Sequence, residues 1–256
     1  MCASPTRPPA EAGGTAANGA SRGKHEALRG TVLFVHGLWM NGAESFLLKR
    51  HLATHDWNLR VFPYSSLAEP MSRIASRCAR YALQLARRTL APVHLVGHSL
   101  GGLVIYRMFE TGLLAPDRFS GDFCRVVFMG TPIQGSQSGR AMARVAPLRA
   151  LLGSAGVHEL AQDLAQEQAQ ERGQAPPRRW EHKAQLGVIA GNSPHGLGRL
   201  LTRLPGPNDG TVAVAETRIE GATDYCVVHA SHTGLLVATE AAQQIAGFLE
   251  NGRFSV

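Results

Sequence analysis

The sequence predicts an α/β protein: a mostly parallel sheet of about six strands flanked by helices, with a helical cap insertion. Three observations predict it. Short apolar runs bounded by glycine or proline alternate with longer stretches of helical apolar spacing, the pattern of a sheet covered on both faces. One of these runs leads straight into a Gly-X-Ser-X-Gly turn, and a helical stretch follows. The 256 residues, 44% of them hydrophobic, are enough for one large core.

The elements follow in order. Residues 1–29 are rich in Ala, Gly, Pro, Ser and Thr and read as a disordered tail ahead of a single domain over 30–256. Thr31–Val35 is a continuous apolar run ending in His36-Gly37, suited to a strand buried on both faces. A helical stretch covers about 43–55, and Asn58–Phe62 is the next strand, stopped by Pro63. Over 71–90, Met71, Ile74, Cys78, Tyr81, Leu85 and Leu90 recur at helical spacing. Val93–Val96 is a third strand, running into Gly97–Gly102, and a helix continues from Leu103 to about Thr111. Arg125–Met129, Gln185–Ala190 and Tyr225–Val228 are the fourth, fifth and sixth strands. The last helix spans about 234–250, with Val237, Ala241, Ile245, Phe248 and Leu249 on one face.

Between the fourth and fifth strands lies the insertion, 133–184. Met142, Val145, Leu148, Leu151 and Leu152 recur there at helical spacing, with Pro147 bending or ending the helix, before a Gln- and Glu-rich run over 162–174 and Pro176-Pro177. A connection of this length is either a functional lid or a packed decoration, and length alone does not separate the two.

Charge and composition exclude several classes. The net charge is +7, but no run of five Lys or Arg occurs and aromatics are only 6%, so no nucleic-acid partner is expected. The basic balance still permits transient contact with an anionic membrane surface. The N-terminus lacks an apolar signal-like segment, and no stretch of about twenty apolar residues occurs, so a cytoplasmic protein is expected. The four cysteines form no CxxC pair; Cys124 and Cys226 lie at apolar runs and read as buried free thiols.

The chemistry starts at Gly97-His98-Ser99-Leu100-Gly101. A buried strand before it and a helix after it are the context a nucleophile elbow requires, with Ser99 as the nucleophile. The serine must sit in a strained turn, and the glycines on either side must be small because strand and helix backbones press together there.

On these residues the chain resembles the α/β-hydrolase family, in particular its bacterial lipase- and esterase-like serine hydrolases, over about Thr31 to Phe254. Phe34–Leu38 resembles the family's strand-end His-Gly turn, and Gly97–Gly102 the elbow of its lipases. Gly130-Thr131-Pro132 resembles the turn after their next strand, Asn208–Val212 the loop bearing their acid, and Ser231–Gly234 their histidine loop. After Pro132 the chain reads Ile133-Gln134-Gly135-Ser136 where many relatives carry His-Arg before Gly-Ser, a departure that bears on substrate class. The resemblance implies an α/β-hydrolase fold and cleavage of carboxylic, lipid-like esters. Thioesterase or acyltransferase activity by the same triad is the alternative, and a hydrolase fold without turnover a more distant one.

In this fold the order is Ser, then Asp or Glu, then His. Of the five histidines after Ser99, His158 and His182 lie in the insertion and His195 comes too early. His229 ends the sixth strand as a packing residue, and His232 sits in the loop beyond it, where the base belongs. Among the acids, Asp117 and Asp122 precede the fourth strand, Asp163 is in the insertion, and Glu216 and Glu220 are outsiders. Asp224 opens the sixth strand, at the wrong end of the sheet. Asp209 lies in a Pro- and Gly-bounded loop after the fifth strand and is the expected acid. One oxyanion donor is the N–H after the nucleophile, at Leu100; the resemblance puts the other at Leu38. Trp39 either lines the substrate pocket or anchors the cap. His229 and His232 lack a third ligand, so neither metal nor cofactor is expected. The implied partner is a small-molecule or lipid ester.

Overall fold

The chain was described from a computed structural model covering residues 28–89, 92–114, 119, 121–174, 176–195 and 204–255. The expected tail, up to residue 27, lies outside the described residues. Arg29, which the sequence placed in that tail, donates its N–H to Asp56 and pairs its guanidinium with Glu250.

Six strands form one sheet: β1 (Gly30–Val35), β2 (Trp57–Val61), β3 (Val93–His98), β4 (Gly121–Met129), β5 (Ala184–Gly191) and β6 (Asp224–Val228). They pair in the order β2-β1-β3-β4-β5-β6, and every pairing is parallel. Parallel strands need covering on both faces, which explains the unbroken burial of β1 and β3. The two-residue period of a strand then sorts their side chains. Leu33, Val35 and Leu95 pack with α2 (Met71–Arg88) and α3 (Leu100–Glu110). Val32, Phe34 and Val96 pack on the opposite face with α1 (Phe46–Ala53) and the C-terminal helix.

Three apolar faces differ from the expected ones. On α2 the buried stripe is Met71, Ile74, Ala75, Cys78, Ala79, Ala82 and Ala86, while Tyr81 and Leu85 are only half-buried and Leu90 lies outside the described residues. Alanines let the helix approach α3 closely, a signal that a count of large apolar residues overlooks. The C-terminal helix starts at Thr239, after a short 3₁₀ turn at Gly234–Leu236, which leaves Val237 half exposed. In the insertion, α4 (Gln137–Ala143) and α5 (Ala146–Leu151) are separate helices, followed by α6 (Gly153–Glu171); the C-terminal helix is α7 (Thr239–Asn251). Pro147 lies in the first turn of α5, where its missing N–H costs nothing, so it starts a helix instead of ending one. Val145 and Leu151 are exposed, and the cap's own small core is Met142, Leu152 and Leu160, with Leu38 of the main domain packed against it.

Strand order reverses between β1 and β3, where the chain first builds outward to β2 and then returns to the other side. In such sheets the ligand cleft opens outside the carboxyl ends of the strands at this reversal. The loops after β1 and β3 carry Leu38 and Ser99 to that place.

Candidate active site

β3 ends in Gly97-His98, and the chain turns at Ser99 directly into α3. Ser99 holds φ 54° and ψ −121°, a backbone that a residue with a side chain adopts only where its surroundings enforce it. Its N–H donates to the Met129 carbonyl at 2.9 Å, and the Gly102 N–H donates back to the Ser99 carbonyl at 3.0 Å. Strand and helix are nearly in contact: a Cβ on Gly97 would lie 2.6 Å from Gly102 Cα, and one on Gly101 would lie 1.9 Å from the Val35 oxygen.

Asp209 and His232 meet from the loops after β5 and β6. His232 Nδ1 lies 2.6 Å from Asp209 Oδ2, and Asp209 is almost wholly buried at 1% exposure. A carboxylate only accepts, so Nδ1 carries the hydrogen, and a neutral His232 keeps a lone pair on Nε2. The other carboxylate oxygen, Oδ1, accepts from the Thr211 and Val212 N–H groups at 2.9 and 2.7 Å. The His232 N–H donates to the Asp209 carbonyl at 2.9 Å, so the two loops are tied through backbone as well as side chains. Gly130 lies beneath the pair in a left-handed turn, φ 55°, where a Cβ would come within 3.1 Å of Asp209 Oδ2.

Ser99 and His232 line one cavity of about 480 Å³, together with Leu38, Trp39 and Leu100. Leu100 is the first residue of α3, so its N–H has no acceptor within the helix. The Trp39 N–H is taken by Ser66 Oγ at 3.2 Å; among the described residues no such bond holds the Leu38 N–H. Trp39 is both cavity wall and cap anchor: its indole N–H donates to the Leu151 carbonyl on α5. The cap supplies the facing wall through Met142, Leu152, Gly156 and Leu160.

A family model described as alpha/beta hydrolase matches residues 32–250. The chain belongs to the alpha/beta hydrolase family. Among curated proteins none matches it. The mature form of the Bacillus licheniformis lipase BlEst2 is 18% identical with a TM-score of 0.68, covering 88% of this chain and 92% of that one. A thioesterase of the prodiginine pathway in Streptomyces coelicolor, RedJ, is 13% identical with a TM-score of 0.51, covering 87% and 90%. The metagenomic carboxyl esterase MGS0156 is 14% identical with a TM-score of 0.52, covering 88% and 77%. At such identities the likeness is one of fold.

The other candidates of this alpha/beta hydrolase fall elsewhere. Asp224 accepts from the Tyr225 and Phe254 N–H groups at the amino end of β6, fastening the C-terminus. Glu216 is buried, and its two oxygens accept from the Gln137 and Ala213 N–H groups at 2.7 and 2.8 Å, joining the acid loop to the start of α4. Glu220 pairs with Arg179 at the surface. His229 does not pack as expected; it is exposed, with Nδ1 3.0 Å from Asn192 Oδ1. No cluster of three or more His, Cys, Asp or Glu suited to a metal occurs among the described residues. No helix among them is long and apolar enough to cross a membrane.

Two contributors escaped the sequence. His98 is wholly buried, and its Nε2 donates to the His232 carbonyl at 2.9 Å, tying the elbow to the histidine loop. Burial pushes its pKa down to about 3, so it remains a neutral strut. Its place beside Ser99 in the elbow was the available signal. The second is His195, which lines the cavity with Nδ1 2.9 Å from Ser193 Oγ, although its position just after β5 argued against a site role.

Proposed function

We propose that this hydrolase cleaves carboxylic esters, lipid-like ones among them, through an acyl-enzyme on Ser99. The carrying observation is the buried 2.6 Å contact between Asp209 and His232 in a cavity that Ser99 also lines. His232 Nε2 takes the hydroxyl proton as Ser99 Oγ attacks the ester carbonyl. The oxyanion is held by the Leu38 and Leu100 N–H groups, donors already in place when charge develops. The C–O bond to the alcohol breaks, and the alcohol leaves with the proton from His232. Water then attacks the acyl carbonyl and gives a proton to His232; the bond from that carbon to Ser99 Oγ breaks, His232 returns the proton to Oγ, and the carboxylic acid leaves. Asp209 holds the tautomer and stabilises the imidazolium. Trp39 serves as a substrate-binding wall, and no cofactor takes part.

Thioesterase action is the second reading, favoured by the fold likeness to RedJ, since one triad serves both acyl esters and thioesters. A cytoplasmic location is part of the proposal, supported by the free thiols of Cys78, Cys124 and Cys226. The test is a fluorophosphonate probe with a chain-length panel of p-nitrophenyl esters. Ser99→Ala should fold normally, resist labelling and lose turnover by at least about a thousandfold. Activity within tenfold of the unmodified enzyme would end the assignment.

A further inference from the structure

One part of the cavity wall does not fit a pocket for plain hydrocarbon. Among the apolar residues Met142, Leu152 and Leu160, the cavity is also lined by two acids of α6, Glu159 and Asp163, one helical turn apart. Both are buried, at 2% and 7% exposure. They differ in how far their oxygens are occupied. Both Glu159 oxygens are engaged by Arg107, at 2.8 Å from Nη2 and 3.2 Å from Nε, and Oε1 also meets Arg178 Nη2 at 3.3 Å. Asp163 is held more loosely: its buried Oδ1 lies 2.8 Å from Arg178 Nη1 as an ion pair without a formed hydrogen bond, while Nη1 donates to the Ile133 carbonyl at 2.9 Å. Asp163 Oδ2 has no hydrogen bond or ion pair among the described residues. Asp163 also borders a second, polar cavity of about 100 Å³, so it stands between a mostly apolar chamber and a polar one.

An acceptor with no protein partner on a chamber wall loses its hydration when a ligand fills the chamber, at a cost in free energy unless the ligand donates to it. We propose that Asp163 is a specificity-determining residue that selects esters whose acyl chain carries a neutral hydroxyl. This rests on the acyl-enzyme reading above, because the acyl chain is the part that stays in the chamber through both chemical steps. A hydroxyl fits better than an ammonium. Arg178 already balances Asp163, and a third charge would enter beside that cation and lose its hydration. A plain alkyl chain of the same length would leave Oδ2 unpaired, and sites built around a hydrogen bond reject the analogue that lacks it. Burial raises the Asp163 carboxyl to about 6, so above neutral pH it stands as an ionised acceptor.

The experiment compares p-nitrophenyl esters in matched sets at pH 8: plain alkanoyl, ω-hydroxyalkanoyl and ω-aminoalkanoyl chains of roughly four to ten carbons. At one chain length the hydroxyl ester should exceed the plain ester in kcat/KM by about tenfold, and the amino ester should fall below it. Asp163→Asn keeps an acceptor and should retain the hydroxyl-to-alkyl ratio within about threefold; Asp163→Leu should bring the ratio to one or below. Free ω-hydroxyalkanoic acids should inhibit the unmodified enzyme more strongly than alkanoic acids, a measurement needing no variant. A hydroxyl-to-alkyl ratio at or below one at every length would overturn the proposal, as would an amino ester that wins, or a ratio unmoved in Asp163→Leu. Failure of the serine reading is distinct: no ester of any chain would then be turned over, or Ser99→Ala would remain active.

Discussion

At the residue scale the choice of acid is the sharpest question, because two aspartates, Asp209 and Asp224, follow β4 in loop or strand-edge positions. Geometry separates them: Asp209 meets His232 at 2.6 Å, while Asp224 holds the Tyr225 and Phe254 N–H groups at the other end of the sheet. Asp209→Asn should keep the fold, since the amide oxygen can still accept from Thr211 and Val212. It should cut turnover by roughly a hundredfold or more, because an amide neither favours the Nδ1–H tautomer nor stabilises an imidazolium. Asp224→Asn should leave kcat/KM within about threefold. Steady-state kinetics on one ester decides, and the reverse ranking would remove Asp209 from the mechanism. Ser99, Asp209 and His232 were legible because each sits in a short segment whose residue types are dictated locally. His98 and Asp163 were not. Their parts depend on contacts across 134 residues for His98 to His232, and on a helix folded over the sheet for Asp163. No local pattern carries such information.

At the scale of elements, the cap raises the question of what fixes it. Its ties to the main domain include Glu159 to Arg107 on α3, the Trp39 indole to Leu151, the Ser154 N–H to the Leu67 carbonyl at 2.9 Å, the Ser138 hydroxyl to the Thr211 carbonyl at 2.6 Å, and the Gln137 N–H to Glu216. The Glu159 contact is the most consequential, because this buried carboxylate is shared by two guanidiniums, Arg107, which also pairs with Glu110, and Arg178, which also pairs with Asp163. Glu159→Gln removes the central charge of that cluster and leaves two guanidiniums with Glu110 and Asp163 alone. Breaking one side of a buried pair costs about 3–5 kcal/mol, which in a chain of this size lowers Tm by about 10 °C. Glu167→Gln, at the exposed pair with Arg140, should shift Tm by less than about 3 °C. Thermal melts of the two variants make the comparison, and equal shifts would show that the Glu159 cluster is not what fixes the cap. The sequence revealed that helices exist here but misplaced their faces. The stretch from Met142 to Leu151 has helical spacing, yet it is broken at Arg144–Val145, so one period runs across two separate helices. The parallel strands were read more closely, because burial on both faces makes them unbroken apolar runs whose limits are set by glycine and proline.

For the molecule as a whole, the same close packing that builds the sheet sets its response to acid. His94 and His98 lie on β3 at 1% and 0% exposure, and burial pushes both down to about 3. His94 Nδ1 accepts from the Arg125 N–H at 2.9 Å, so protonating it would lose a bond as well as bury a charge. His98 Nδ1 is buried without a hydrogen-bond partner among the described residues, close to His232. Unfolded, both histidines titrate near 6.5. A folded pKa held below the unfolded one gives stability that is full above about 6.5 and is lost as pH falls toward about 3, because the unfolded chain binds protons that the native one refuses. At pH 5 the loss is about 2 kcal/mol for each histidine relative to pH 7.5. Asp163 acts in the opposite sense: its carboxyl, raised to about 6, takes up a proton in the folded state first and returns about 1.4 kcal/mol over the same interval. The lowered histidines outnumber the raised acids: His36 and His182, also lowered by burial, add to His94 and His98, while Glu216, raised by burial, acts with Asp163. Urea unfolding at pH 7.5 and pH 5 should therefore show a net loss of about 2–3 kcal/mol. His94→Asn places an amide oxygen where Nδ1 stands, keeping an acceptor for the Arg125 N–H, but cannot titrate, so it should remove nearly all of that difference, about 2 kcal/mol of it. An unmodified protein equally stable at both values would contradict the account, and so would a His94→Asn variant with an undiminished pH dependence.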